Sequence, residues 1–136
     1  MSDAIVAVGV PTALGGHLAG MELTPRGLRD LGLLDRLPGT VIDAGDVAIE
    51  PGFRMDADPR AKNREAICAF LPRERDLVVA ALSTAGPDAR LLVLGGDCTA
   101  HAGALAVRST GSTSRSTWTA STRQMVGRSR CPSPAD

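Results

Sequence analysis

The side chains of this sequence whose types and spacing are suited to chemistry fall in three segments. Asp43 and Asp46 lie in IDAGDV, His17 lies in the glycine-rich segment 11–21, and Cys98 and His101 follow two glycines in LGGDCTAH. A thiolate and an imidazole three residues apart in a helix share one face. Both are metal ligands, so Cys98 and His101 are our candidate ligands for a common ion.

Each of these groups also has an interpretation that involves no function. Small buried thiols are common in cores, loop histidines are usually solvated, and aspartates after a strand stabilise turns by bonding their own backbone. We therefore expect turn chemistry from Asp43 and Asp46. We keep Cys98 and His101 as metal candidates, and we assign no catalytic and no cofactor-binding residue.

The elements that position these groups alternate between strand and helix. Ala4–Val10, residues 40–42 and residues 90–94 are short apolar runs typical of buried strands. Alternation of such runs with helical patterns predicts an α/β fold with a parallel sheet of about three strands. Ligands of such sheets bind outside the carboxyl ends of the strands, which is where the three segments fall.

Three helical patterns separate and follow the strands. The first has Thr24 as its N-cap and leucines along one face as far as Pro38, and residues 43–46 are expected to form a turn. The second begins near Lys62, and Pro72 should kink or split it before Gly86 ends it. The third is expected to begin near Thr99.

Composition divides the chain into two parts. Residues 108–136 hold five arginines against one acid, with seven serines and five threonines, whereas the rest has 10 basic and 14 acidic groups. We therefore predict an α/β domain over 1–107 and a disordered Ser/Thr/Arg-rich tail over 108–136. Nothing resembles a secretion signal or a membrane span, and the three widely spaced cysteines suggest no disulfide framework. A cytoplasmic protein is expected, with neither membrane nor nucleic acid as partner.

Four segments, in order, resemble the start of the arginase/agmatinase (ureohydrolase) family. The stretch VGVPTALGGHLAGMELTPRGLRDLGLLDRL is similar to the family's opening strand, loop and GP-x-x-LR-x-x-GLL helix. IDAGDV resembles its D-x-GD-[VL] turn, AKNREAI its next helix start, and LLVLGGDCTAHAGAL its LGGDHS-x-x-x-G segment. The resemblance covers about residues 4–107 and implies an arginase-like three-layer fold, of which this chain is the N-terminal part.

The resemblance also implies a chemistry. Arginases use a pair of Mn²⁺ ions to generate the hydroxide that hydrolyses a guanidino C–N bond. The family's ligands come from GGDH, DAHxD and DxDxxD motifs; only the first has a counterpart here, with Cys98 at the histidine position. Thiolate suits Mn²⁺ poorly. We therefore expect a truncated, inactive chain that does not bind the family's Mn²⁺.

The tail offers a reason for the missing motifs. STSRSTWTAST, back-translated with GC-rich codons and read one base out of frame, can give LDVAIDVDGID, which resembles the family's late DVDxxD segment. We therefore expect the tail to be out of frame from about Val107. The rival interpretation from another class is a non-catalytic α/β interaction module that associates with itself or a partner. A nucleotide-binding protein is disfavoured, because the chain has neither GxGxxG nor GK[ST].

Overall fold

The computed structural model describes residues 4–16, 18–49 and 62–110, without the side chains of 108–110. Its strands are β1 (Ala4–Val10), β2 (Thr40–Asp46) and β3 (Arg90–Gly95), and its α-helices are α1 (Thr24–Asp30), α2 (Arg64–Ala85) and α3 (Ala102–Thr110). Short 3-10 turns at Met21–Leu23, Leu34–Arg36 and Cys98–His101 complete the described elements. No helix in these ranges is long and apolar enough to cross a membrane.

The three strands form one parallel sheet in the order β2-β1-β3. β1 is central, and all seven of its residues are buried, because it is covered on both faces as well as paired on both edges. An unbroken apolar run is what such a strand requires. The predicted α/β class with a parallel sheet is confirmed.

The core lies between β1 and α2. Phe70 and Val78 of α2 are fully buried and pack with Val6, Val8 and Val10 of β1. Glu74 lies between Phe70 and Val78 on the same helix face, and it too is fully buried. The apolar face that the sequence predicts for this helix does not include Glu74.

The first helix is shorter than its leucine pattern predicts. Gly32 adopts φ 72°, its N–H donates to Arg29 O, and Leu33 N–H donates to Leu28 O. This pair of bonds is a Schellman motif, which ends the helix where glycine accepts the left-handed conformation. Leu31 consequently remains 72% exposed. Thr24 is the first helical residue and not the N-cap, a position that Leu23 occupies.

Two other boundaries differ from the sequence prediction. Residues 43–46, expected as a turn, belong to β2, although the β1–β2 register shifts between Ala7 and Gly9. Pro72 lies within α2 but does not split it, since the helix continues from Arg64 to Ala85. The end of α2 at Gly86 is as predicted.

Some expectations fall wholly or partly outside the described residues. α3 continues to Thr110, three residues beyond the predicted domain boundary at 107, and residues 111–136 are not described. Disorder and an altered reading frame in the tail therefore remain predictions. Cys68, on α2, is disulfide-bonded, whereas Cys98 is a free thiol.

Candidate functional site

The described residues 11–16 and 18–21 of the glycine-rich loop pack directly on the GGDC turn (residues 95–98) at the carboxyl end of the sheet. Asp97 joins them: its Oδ2 accepts a bond from Gly15 N at 2.9 Å, and its Oδ1 accepts from Thr99 N at 2.8 Å and Thr99 Oγ1 at 2.5 Å. Asp97 is thereby the N-cap of the 3-10 turn Cys98–His101. Both oxygens of this carboxylate are already occupied.

Gly96 is needed because two backbone segments approach it closely. A Cβ at this position would overlap the carbonyl oxygens of Thr12 and Met21. Its φ is not positive, so the requirement is space and not a left-handed turn. Gly96 therefore serves loop packing, and Gly95 makes room for Ala100 of the following 3-10 turn.

Lys62 and Asn63 hold the same loop from the other side. Lys62 Nζ donates to Gly16 O at 2.8 Å, and the buried Asn63 donates from Nδ2 to Leu14 O at 2.9 Å. Asn63 has φ 54°, a left-handed conformation that asparagine tolerates better than most residues. Sequence reasoning used AKN only as a helix start and missed this role. An asparagine immediately before a helical pattern was the available signal.

Asp43 and Asp46 are both bound by Arg29 of α1. Arg29 Nε and Nη2 donate to the two oxygens of Asp43, each at 2.8 Å, and Nη1 donates to Asp46 Oδ1 at 2.6 Å. The hydrogen bond from Arg29 is the largest cause that lowers the pKa of Asp43, and the bond to Asp43 raises the pKa of Arg29. Gly9 leaves room for this arrangement, since a Cβ there would overlap the Asp46 carboxylate.

The turn chemistry expected of the aspartates is present in part. Asp43 Oδ1 also accepts a bond from Gly45 N at 3.0 Å, which is the local backbone contact typical of aspartate. The larger part of the network is the ion pair with Arg29, fourteen residues away. Because Arg29 binds both carboxylates, they serve in this structure to attach α1 to β2.

Cys98 and His101 lie together on one 3-10 turn and are both exposed, and Cys98 is a free thiol. Successive turns of a 3-10 helix superimpose residues i and i+3, so the predicted shared face is retained. His17, the other loop candidate, lies outside the described residues. In the described ranges no three His, Cys, Asp or Glu side chains are grouped so as to hold a metal ion.

These residues do not fit a pair of Mn²⁺ ions. Manganese prefers carboxylate, carbonyl and water oxygens, supplemented by imidazole. Here Asp97 is engaged with Gly15 and Thr99, Asp43 and Asp46 are engaged with Arg29, and the remaining donors are one thiol and one imidazole. The described part of the chain therefore offers no donor set for the two-metal chemistry that the resemblance implies.

Glu74 connects α2 to the start of α3. The start of α3 follows directly after the GGDC turn and the 3-10 turn Cys98–His101. Its Oε2 accepts a bond from Gly103 N at 3.0 Å, and its Oε1 accepts from Ala104 N at 2.9 Å. Burial raises the pKa of Glu74, and the two backbone N–H groups lower it by less. Helix N-termini favour negative charge and leave N–H groups unsatisfied, so the carboxylate acts as a cap supplied by another helix.

Comparison with known proteins shows that the fold is similar to that of arginases. No family model matches the chain, and no curated protein matches it. The arginase of Bacillus caldovelox is 30% identical with a TM-score of 0.63, over 79% of this chain and 36% of its own. Two structures of Bacillus subtilis arginase are 29% and 27% identical, with TM-scores of 0.61 and 0.59, over 77% and 76% of this chain and 34% and 32% of theirs.

The fold and the site thus define a class of protein, namely a parallel α/β structure in which a glycine-rich loop packs on a GGD turn. The described part of its sheet has three strands. More specifically, the chain has an arginase-like ureohydrolase fold, as its sequence motifs predict. It spans about a third of the length of the arginases that it matches.

Proposed function

We propose that the chain corresponds to the N-terminal part of a metal-dependent ureohydrolase, and that these 136 residues by themselves catalyse no hydrolysis. The reaction implied for the whole protein is Mn²⁺-dependent hydrolysis of a guanidino or amidino C–N bond. The GGDC turn carries the proposal: it follows β3 as the family motif does, but it offers the thiol of Cys98 where the motif has an imidazole.

The occupied carboxylates support the same proposal. A two-metal hydrolase needs several oxygen ligands that converge on one point. Asp97 accepts three hydrogen bonds within the loop cluster, and Asp43 and Asp46 share the guanidinium of Arg29. Recruiting these groups to a metal would break the contacts that hold the loop and α1 in place.

Urea release tests this proposal directly. The purified chain is incubated with arginine or agmatine, with and without Mn²⁺, beside a Bacillus arginase as positive control. We expect no Mn²⁺-dependent urea from this chain, and none from Cys98→His, because one restored imidazole leaves the other ligands missing. Mn²⁺-dependent turnover that Cys98→Ala abolishes would overturn the proposal.

A non-catalytic α/β interaction module is the second candidate, favoured by the edges of the sheet. Among the described strands β2 and β3 each pair only with β1, so each has one edge without a strand partner. Such edges present N–H and C=O groups to which another strand can bind. We propose self-association as the partner relationship of this chain. Copurification of a different protein in stoichiometric amount would instead favour a dedicated partner.

A further inference from the structure

Glu74 is unusual because a fully buried acid lies in the middle of an apolar helix face. Its side chain is 0% exposed, between Phe70 at 1% and Val78 at 0%. Its hydrogen-bond partners in the described structure are the backbone N–H groups of Gly103 and Ala104. Gly103 is adapted to this contact, since a Cβ there would lie 2.6 Å from Glu74 Oε2 and 2.8 Å from Leu71 O.

No charged side chain compensates Glu74 in the described structure. β1, the strand beneath α2, has no ionisable residue at all. The elements that pack against α2 or adjoin it carry other charged or titratable side chains in the described structure. Asp43 and Asp46 are bound by Arg29. The others, Arg90, Cys98 and His101, are exposed. Those of α2 itself are exposed: Arg64, Glu65, Arg73, Arg75 and Asp76. The causes that shift the pKa of Glu74 are its burial and the two N–H groups, with no contribution from another charge.

We propose that Glu74 is a positioning residue that fastens the start of α3, and through it the GGDC turn, to α2, and that uptake of a proton by Glu74 tightens this fastening. The structural link is short, because α3 begins at Ala102, directly after the 3-10 turn Cys98–His101. Burying the charge without an ionic partner costs more than the two N–H bonds recover, so the neutral acid is the better tolerated form. The inference goes beyond the proposed function and does not require turnover.

The direction of the pH effect follows from linkage. When α3 is released, Glu74 meets water and titrates near the ordinary glutamate pKa of about 4.3. When α3 is docked, the pKa of Glu74 is raised, so the docked form binds the proton more tightly. Docking therefore strengthens as pH falls from above the raised pKa towards the ordinary one. Each unit between the two pKa values changes the docking equilibrium about tenfold.

Hydrogen exchange measured by mass spectrometry tests the proposal on the full chain. Protection of the amides at the start of α3 is measured between about pH 5 and pH 7 and corrected for the intrinsic exchange rate at each pH. The variants are Glu74→Gln, which cannot titrate, and Glu65→Gln, which removes an exposed carboxylate of the same helix. Glutamine retains one acceptor oxygen, so one of the two bonds to α3 survives.

We expect protection in the wild type and in Glu65→Gln to rise several-fold as the pH falls, and protection in Glu74→Gln to be independent of pH. Protection in the wild type that is constant or falls with decreasing pH would overturn the proposal without reference to any variant. A Glu74→Gln protein that retains the wild-type slope would overturn it as well.

Discussion

At the carboxyl end of β2, Arg29 contacts Asp43 and Asp46 with all three of its guanidinium nitrogens. The Arg29 side chain is 20% exposed and the aspartates 38% and 41%, so water screens part of the attraction. What distinguishes the network from an ordinary surface pair is its geometry, because a guanidinium that binds a carboxylate through two nitrogens is held in one orientation. The network fixes the end of α1 against the sheet.

We expect Arg29→Ala to lower the free energy of unfolding by about 1–2 kcal/mol near neutral pH, since it leaves two neighbouring carboxylates without a cation. Arg26→Ala is the matched control on the same helix. Its pair with Asp30 is 3.7 Å long and 82% and 71% exposed, so its loss should have almost no effect. Urea denaturation measures both. Equal effects of the two substitutions would show that the Arg29 network contributes no more than a surface pair.

The difference between wild type and Arg29→Ala should depend on pH in one direction. The pKa of Asp43 is lowered by Arg29, so its contribution to stability is present at neutral pH and is lost as the pH falls through the folded-state value. The two proteins should therefore converge in acid. A difference that widens as the pH falls would contradict the assignment of Asp43 as the ionised partner.

The helices α2 and α3 pack closely against each other at Gly103. We expect Gly103→Ala to destabilise the chain by about 1–3 kcal/mol, because its Cβ would meet the Glu74 carboxylate and Leu71 O. Helix propensity alone predicts the opposite sign, since alanine is favoured over glycine by about 1 kcal/mol. Thermal unfolding therefore distinguishes close packing from propensity.

Gly27→Ala provides the matched substitution for this test. Gly27 lies within α1, and a Cβ there would meet nothing within 4 Å. We expect this variant to be as stable as the wild type or more stable by up to about 1 kcal/mol. If both glycine variants were stabilised, α3 would not pack on α2 as closely as the structure has it.

The sequence predicts the elements that local pattern determines and misses those that depend on distant contacts. β1 and β3 are evident because apolar runs of Val, Ile and Leu specify buried strands. The end of α1 depends on Gly32, whose left-handed conformation competes with a leucine pattern that continues past it. Glu74 was missed because a carboxylate on an apolar face is favourable only when α3 supplies two N–H groups. Pairing of Arg29 with Asp43 and Asp46 likewise arises only when α1 meets β2.

For the whole molecule, we predict self-association at micromolar concentration through the edge of β3. Leu92 is half-buried and lies outside the main core cluster, so lysine at this position should disfavour edge pairing at a modest cost in stability. We expect size-exclusion chromatography with light scattering to show oligomers for the wild type and a shift towards monomer for Leu92→Lys. Melting curves confirm that the variant is folded.

Leu31→Lys tests whether general apolar exposure explains the association instead. Leu31 is 72% exposed at the end of α1 and is not part of a strand. We expect it to associate as the wild type does. A monomeric wild type with a cooperative melt would show that the edge is closed in solution, and an effect confined to Leu31→Lys would assign association to the exposed leucines.

In the part of the chain that the structure describes, the arginase-like fold offers no donor set for the family's metal pair. Calorimetric titration of the purified chain with Mn²⁺ measures metal binding whether or not turnover occurs. We predict no stoichiometric binding by the wild type, since Asp97, Asp43 and Asp46 are occupied and Cys98 is a poor ligand for manganese. Two Mn²⁺ ions bound per chain, with affinity lost on Cys98→Ala, would show that the chain does supply a two-metal site.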